Sequence, residues 1–89
     1  MEQKRKKVAA LKYSPKKDAA PKVVAKGSGL MADRILALAK EYNVPMQEDP
    51  QLVEVLSALD LYQEIPPELY RAVAEVLAYV YRMTKKVSV

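Results

Sequence analysis

The 89-residue sequence contains no cysteine and no histidine. Without cysteine there are neither disulfides nor thiolate metal sites to supplement the core, a composition that suits a reducing compartment and leads us to expect the cytoplasm. Without histidine the commonest general base and the commonest metal ligand are both missing. The carboxylates Glu48, Asp49, Glu54, Asp60, Glu64, Glu68 and Glu75 therefore have no His or Cys with which to complete a metal site or a nucleophile–base pair, and they read as caps and solvated helix faces. Long apolar runs are absent too, and Met1 is followed by Glu2-Gln3-Lys4-Arg5-Lys6-Lys7, so we expect neither a signal peptide nor a spanning helix. Glycine occurs only at 27 and 29. That is too few for a dinucleotide fingerprint, and the P-loop spacing does not match. Lys26-Gly27-Ser28-Gly29 reads instead as a strand-to-helix turn with positive φ at glycine.

Half of the chain is apolar (51%), enough for one modest core. The net charge of +4 is unevenly spread: residues 1–27 hold nine Lys/Arg against Glu2 and Asp18, and residues 28–89 hold six against nine acids. We expect a basic, solvated lead-in over 1–7 and one folded domain over 8–86. The same basic head, with Lys16, Lys17, Lys22 and Lys26, raises nucleic-acid binding as an alternative function. Against it, the aromatic residues are tyrosines placed mostly on predicted helices, with no stacking pair among the lysines and no nucleic-acid-binding signature.

The apolar run Val8-Ala9-Ala10-Leu11-Lys12-Tyr13, ended by Ser14-Pro15, has the length and punctuation of a strand. Lys22-Val23-Val24-Ala25-Lys26, between Pro21 and Gly27, reads as a second strand. From Leu30 the period becomes helical, with Met31, Ile35, Leu38, Ala39 and Tyr42 on one stripe, Ser28 as the expected cap and Asn43 as the end. Val44-Pro45-Met46-Gln47 suggests a third, edge strand. Asp49 as N-cap and Pro50 in the first turn open a second helix, with Leu52, Val55, Leu56 and Leu59 facing inward. A third helix is predicted from about Pro67 to about Lys85, its stripe of Leu69, Val73, Val76, Leu77 and Val80 widened by Tyr70, Ala74 and Tyr81. The expected class is α/β: a small sheet of three to four short strands with three helices around it.

The blocks Ala10-Leu11-Lys12-Tyr13, Ala20-Pro21-Lys22-Val23-Val24-Ala25-Lys26-Gly27, Val44-Pro45, and Ile65-Pro66 leading through Leu69-Tyr70 to Ala72-Val73-Ala74-Glu75-Val76-Leu77-Ala78-Tyr79-Val80-Tyr81 carry a resemblance. Over about residues 8–84 the chain resembles the cytoplasmic domain of the FlhB/YscU family, the export-gate proteins of flagellar and type III secretion systems. That resemblance implies a non-catalytic role, with export substrates and membrane components of the export gate as partners. It implies no cofactor or small-molecule ligand, and a location in the cytoplasm at the membrane export apparatus. Family members cleave themselves at Asn-Pro-Thr-His; here the matching positions are Gln3-Lys4-Arg5-Lys6, and the one asparagine, Asn43, precedes Val44. The resemblance further implies an apolar substrate-binding patch formed by Ala20, Pro21, Ala74 and Leu77. It also points to one departure: the family has a glycine in the segment before Ile-Pro, and Asp60-Leu61-Tyr62-Gln63-Glu64 has none.

Overall fold

In the computed structural model the backbone is described for residues 6–87 and side chains through Met83; most of the expected lead-in over 1–7 lies outside the described residues. Strand β1, Lys7–Lys12, pairs antiparallel with β2, Lys22–Ser28. The strand begins at Lys7, one residue ahead of the expected Val8: Lys7 pairs with Ser28 and its Nζ reaches Glu54 Oε2 at 2.6 Å. The register steps once, between Ala10 opposite Ala25 and Leu11 opposite Val23, leaving Val24 unpaired as a bulge. Side chains alternate across a strand, so that extra residue places Val23 and Lys26 on the same face and turns Gly27 to the other.

Two helices sit on the Val23 face. Helix α2, Pro50–Ser57, starts as the sequence predicts: Asp49 caps it by accepting a 3.1 Å hydrogen bond from the Leu52 N–H, and Pro50 occupies the first turn, where no N–H is needed. Helix α3, Tyr70–Val87, follows a single 3-10 turn at Pro67–Leu69 that Pro66 introduces in extended conformation. Leu52 and Leu56 of α2, Val73 of α3, Ile65 and Val23 form the buried core, with Ala9, Leu11, Leu59, Leu69, Ala72, Val76 and Leu77 packed around them. Val55, predicted to face inward, is exposed, since α2 buries only the Leu52–Leu56 ridge. Lys26 extends from β2 to donate hydrogen bonds to the carbonyls of Ser57 and Leu59 at the end of α2, where a cation and a donor are both favourable.

Helix α1, Leu30–Glu41, covers the opposite face, the one Gly27 presents. Its cap is Gly29, with φ 61°, and not Ser28, which is still the last residue of β2; the Gly29 N–H is taken by the Lys6 carbonyl at 2.8 Å. Asn43 ends α1 as expected, at φ 57°, with its N–H on the Lys40 carbonyl and the Val44 N–H on the Ala39 carbonyl, the two bonds of a Schellman motif.

The α/β class and three helices stand, on a sheet narrower than expected: two strands among the described residues. Residues 44–47 form no ladder. The free edge of β2 that a third strand would need is occupied elsewhere, by the segment before α3. The Tyr62 N–H bonds the Val23 carbonyl (2.8 Å), the Ile65 N–H bonds the Pro21 carbonyl (2.9 Å), and Lys22 and Glu64 form an isolated bridge.

Candidate functional site

Residues 13–21, between the strands, close on themselves. The Ser14 carbonyl accepts from the N–H groups of Lys17 (2.9 Å) and Asp18 (2.7 Å), and Asp18 Oδ2 accepts from the Ser14 N–H (2.8 Å). This compact turn delivers Ala19, Ala20 and Pro21 to one wall of a shallow cleft. Pro21 has no N–H to satisfy, and its carbonyl is used by Ile65, so the wall can be apolar without orphaned backbone groups. The opposite wall is α3. Tyr70, Ala74 and Leu77 are spaced four and three apart, which stacks them along one helix face.

The cleft encloses about 190 Å³. Ile65 and Val73, 2% and 1% exposed, make its floor, and Tyr13 and Tyr70 stand at its rim, half in solvent. All four residues that the resemblance implied line it: Ala20 is 2% exposed and Pro21 buried, Leu77 is half-buried, and Ala74 is open to solvent. Tyr13, Ala19, Ile65, Tyr70 and Val73 complete the lining and were not among those four. Tyr70 was recoverable from its helical spacing to Ala74; Tyr13 was not, because its place depends on where the turn folds back. None of the lining side chains is charged, so the cleft suits apolar side chains and offers no acid–base chemistry.

Several of the features weighed as alternatives have structural employment. The Gly29 N–H, which a phosphate at the α1 N-terminus would need, is bonded to Lys6. Of the lysines that suggested a nucleic-acid surface, Lys26 binds carbonyls of α2 and its end, and Lys22 lies 3.8 Å from Asp18. Among the described residues no three His, Cys, Asp or Glu side chains are placed to hold a metal ion, and no helix is long and apolar enough to cross a membrane.

A sequence profile of the FlhB HrpN YscU SpaS family matches residues 7–80. The chain is 48% identical over 79 residues to the flagellar biosynthetic protein FlhB of Aquifex aeolicus (strain VF5), a match spanning 88% of this chain but 23% of that protein. It is 43% identical over 81 residues to the protein YlqH of Bacillus subtilis (strain 168), covering 91% of this chain and 87% of YlqH. In three dimensions it superposes on the crystal structure of the cytoplasmic domain of FlhB from Shewanella putrefaciens with a TM-score of 0.78 at 43% identity, covering 82% of this chain and 62% of that one. It superposes on the PscU C-terminal domain with a TM-score of 0.77 at 27% identity, covering 82% and 94%. With the family profile, the sequence relatives and the fold in agreement, the chain belongs to the FlhB/YscU family of flagellar and type III export proteins.

Proposed function

We propose that this protein is a non-catalytic subunit of the flagellar or type III export apparatus, accessory to a full-length relative or substituting for its cytoplasmic domain. In this reading it sits in the cytoplasm against the membrane export gate and receives export substrates in the cleft between residues 19–21 and α3. The observation that carries the reading is the cleft itself: Ala20, Pro21, Ala74 and Leu77, distant in sequence, line one apolar depression in a chain of this family. Small side chains keep the depression open, and a rigid proline edge suits an extended or amphipathic peptide. The non-catalytic part is supported by the absence of histidine and cysteine and of any Asn-Pro bond.

Ala74→Asp tests it. Ala74 is exposed, so the charge should cost the fold only the lower helix propensity of aspartate, about 0.5–1 kcal/mol. A carboxylate in an apolar docking site should weaken binding about tenfold or more. The measurement is anisotropy of a labelled export substrate from the same organism, with a thermal melt on the same sample. Lost binding with a near-unchanged melt supports the reading; undiminished binding, or a collapsed melt, refutes it.

A further inference from the structure

The loop wall of the cleft carries cations that no acid among the described residues neutralises. Lys6 pairs with Asp33 at 3.2 Å, Lys7 with Glu54, and Lys22 with Asp18, while Lys26 is spent on backbone carbonyls. Lys12, Lys16 and Lys17 are exposed and have no anionic partner among the described residues. Lys12 follows Leu11 on β1 and so lies on the opposite face from the core, whereas Lys16 and Lys17 lie on the closed turn, followed by Asp18 and then by Ala19 and Ala20 of the cleft wall. Asp18, the only acid in this stretch, is consumed: one oxygen accepts from the Ser14 N–H and the other faces Lys22. On the α3 wall Arg71 and Glu75, which flank the lining residues, are opposite in sign, so the loop sets the electrostatic character of the rim.

We propose that the segment seated in this cleft is acidic beside its apolar anchor: an aliphatic or aromatic side chain enters between Pro21 and Ala74, and aspartate or glutamate next to it meets Lys16 and Lys17. This rests on the docking role proposed above and specifies its partner's chemistry. Charges at a rim select partners and speed encounter while the apolar anchor supplies most of the affinity. A nucleic acid is the other polyanion such lysines attract. The lining favours a peptide, since its two tyrosines lie on different elements among aliphatic side chains and offer no run of stacking faces.

The test uses the intact chain and short labelled peptides that share one apolar core and differ only in their flanks, which are acidic, serine or lysine. At about 0.05 M salt the acidic peptide should bind roughly tenfold tighter than the lysine one, with serine between, and the gap should close near about 0.5 M salt. Lys16→Glu combined with Lys17→Glu should reverse the order without moving the melt, because both side chains are exposed, and Ala74→Asp should weaken all three peptides. Equal binding of the three, or an order that survives the charge reversal, overturns the acidic preference; the cleft reading then stands as long as Ala74→Asp still abolishes binding. No binding by any peptide overturns both. A single-stranded RNA oligonucleotide that displaces the acidic peptide and binds more tightly than it does assigns the lysines to nucleic acid and overturns the proposal.

Discussion

Asn43 and Tyr62 both hold a positive φ, 57° and 69°, for different reasons. Asn43 occupies the position after a helix end where asparagine tolerates the left-handed region, and it is legible in the sequence because it follows the last apolar residue of a helical stripe. Tyr62 has no such tolerance. The residue is 67% exposed, so packing does not hold it there; the bond from its N–H to the Val23 carbonyl does. Nothing in a tyrosine announces this backbone state, and the only trace of it in the sequence is that the resembled family places a glycine in this segment. Tyr62→Gly removes a strain of about 1–2 kcal/mol and adds about 0.5–1 kcal/mol of unfolded-state entropy. Its stability should therefore be unchanged or higher by up to about 1 kcal/mol, whereas Tyr62→Val, β-branched at a positive φ, should lose about 1–2 kcal/mol. Urea denaturation of both variants distinguishes this from the alternative, in which both lose stability equally because the ring mattered.

Helix α1 shows how a correct period can mislead about burial. The stripe of Met31, Ile35, Leu38, Ala39 and Tyr42 is helical as predicted, yet Met31, Leu38 and Tyr42 are exposed and the one fully buried residue is Ala32. Periodicity reports which side of a helix is apolar; it does not report whether a two-stranded sheet is wide enough to cover that side. What seats α1 is closeness of backbone. A Cβ built on Gly27 would come 2.9 Å from Met31 Cβ and 3.3 Å from Ile35 Cδ1. Gly27→Ala should therefore lift α1 and cost about 1–3 kcal/mol, the usual effect of overpacking. Leu38→Gln, at a residue 54% exposed, should cost less than about 0.5 kcal/mol. Thermal melts of the pair settle which contact matters; a larger loss at Leu38 would mean the stripe is buried in solution. The missing third strand has a comparable cause: Val44-Pro45-Met46-Gln47 looks extended, but the β2 edge it would need is bonded to residues 62–65, a segment without strand-like composition.

For the molecule as a whole, the class, the α2 start at Pro50 and most of the core were legible, because proline, aspartate and apolar period act locally; at Pro67 the expected helix opens as a 3-10 turn and becomes α-helical only from Tyr70. The cleft was legible only through resemblance, since it joins a turn to a helix some fifty residues later and no local pattern encodes that meeting. Lys26 was legible as a charge but not as a structural tie between β2 and α2. Lys26→Met keeps the stem and removes the donor to Ser57 and Leu59, and should lower stability by about 1–3 kcal/mol in a thermal melt; an unchanged melt would mean water serves those carbonyls equally well. That tie exists because of unpaired Val24, and with it comes a counting rule. The layer holding α2 and α3 and the layer holding α1 are joined by a hairpin in which the three steps from Val23 to Lys26 count as two, because one residue is bulged out of the alternation. Removing Val24 would close the bulge and leave Val23 and Lys26 two apart on the same face, whereas one further residue held in the ladder there would exchange the two layers' claims, turning a lysine toward α1 and a bare glycine toward the core. The ladder therefore tolerates an unpaired residue on β2, or its loss, but not one more paired residue on that strand alone, and other single-residue changes belong in the turn at 13–21, where they would reshape the cleft and leave the ladder alone.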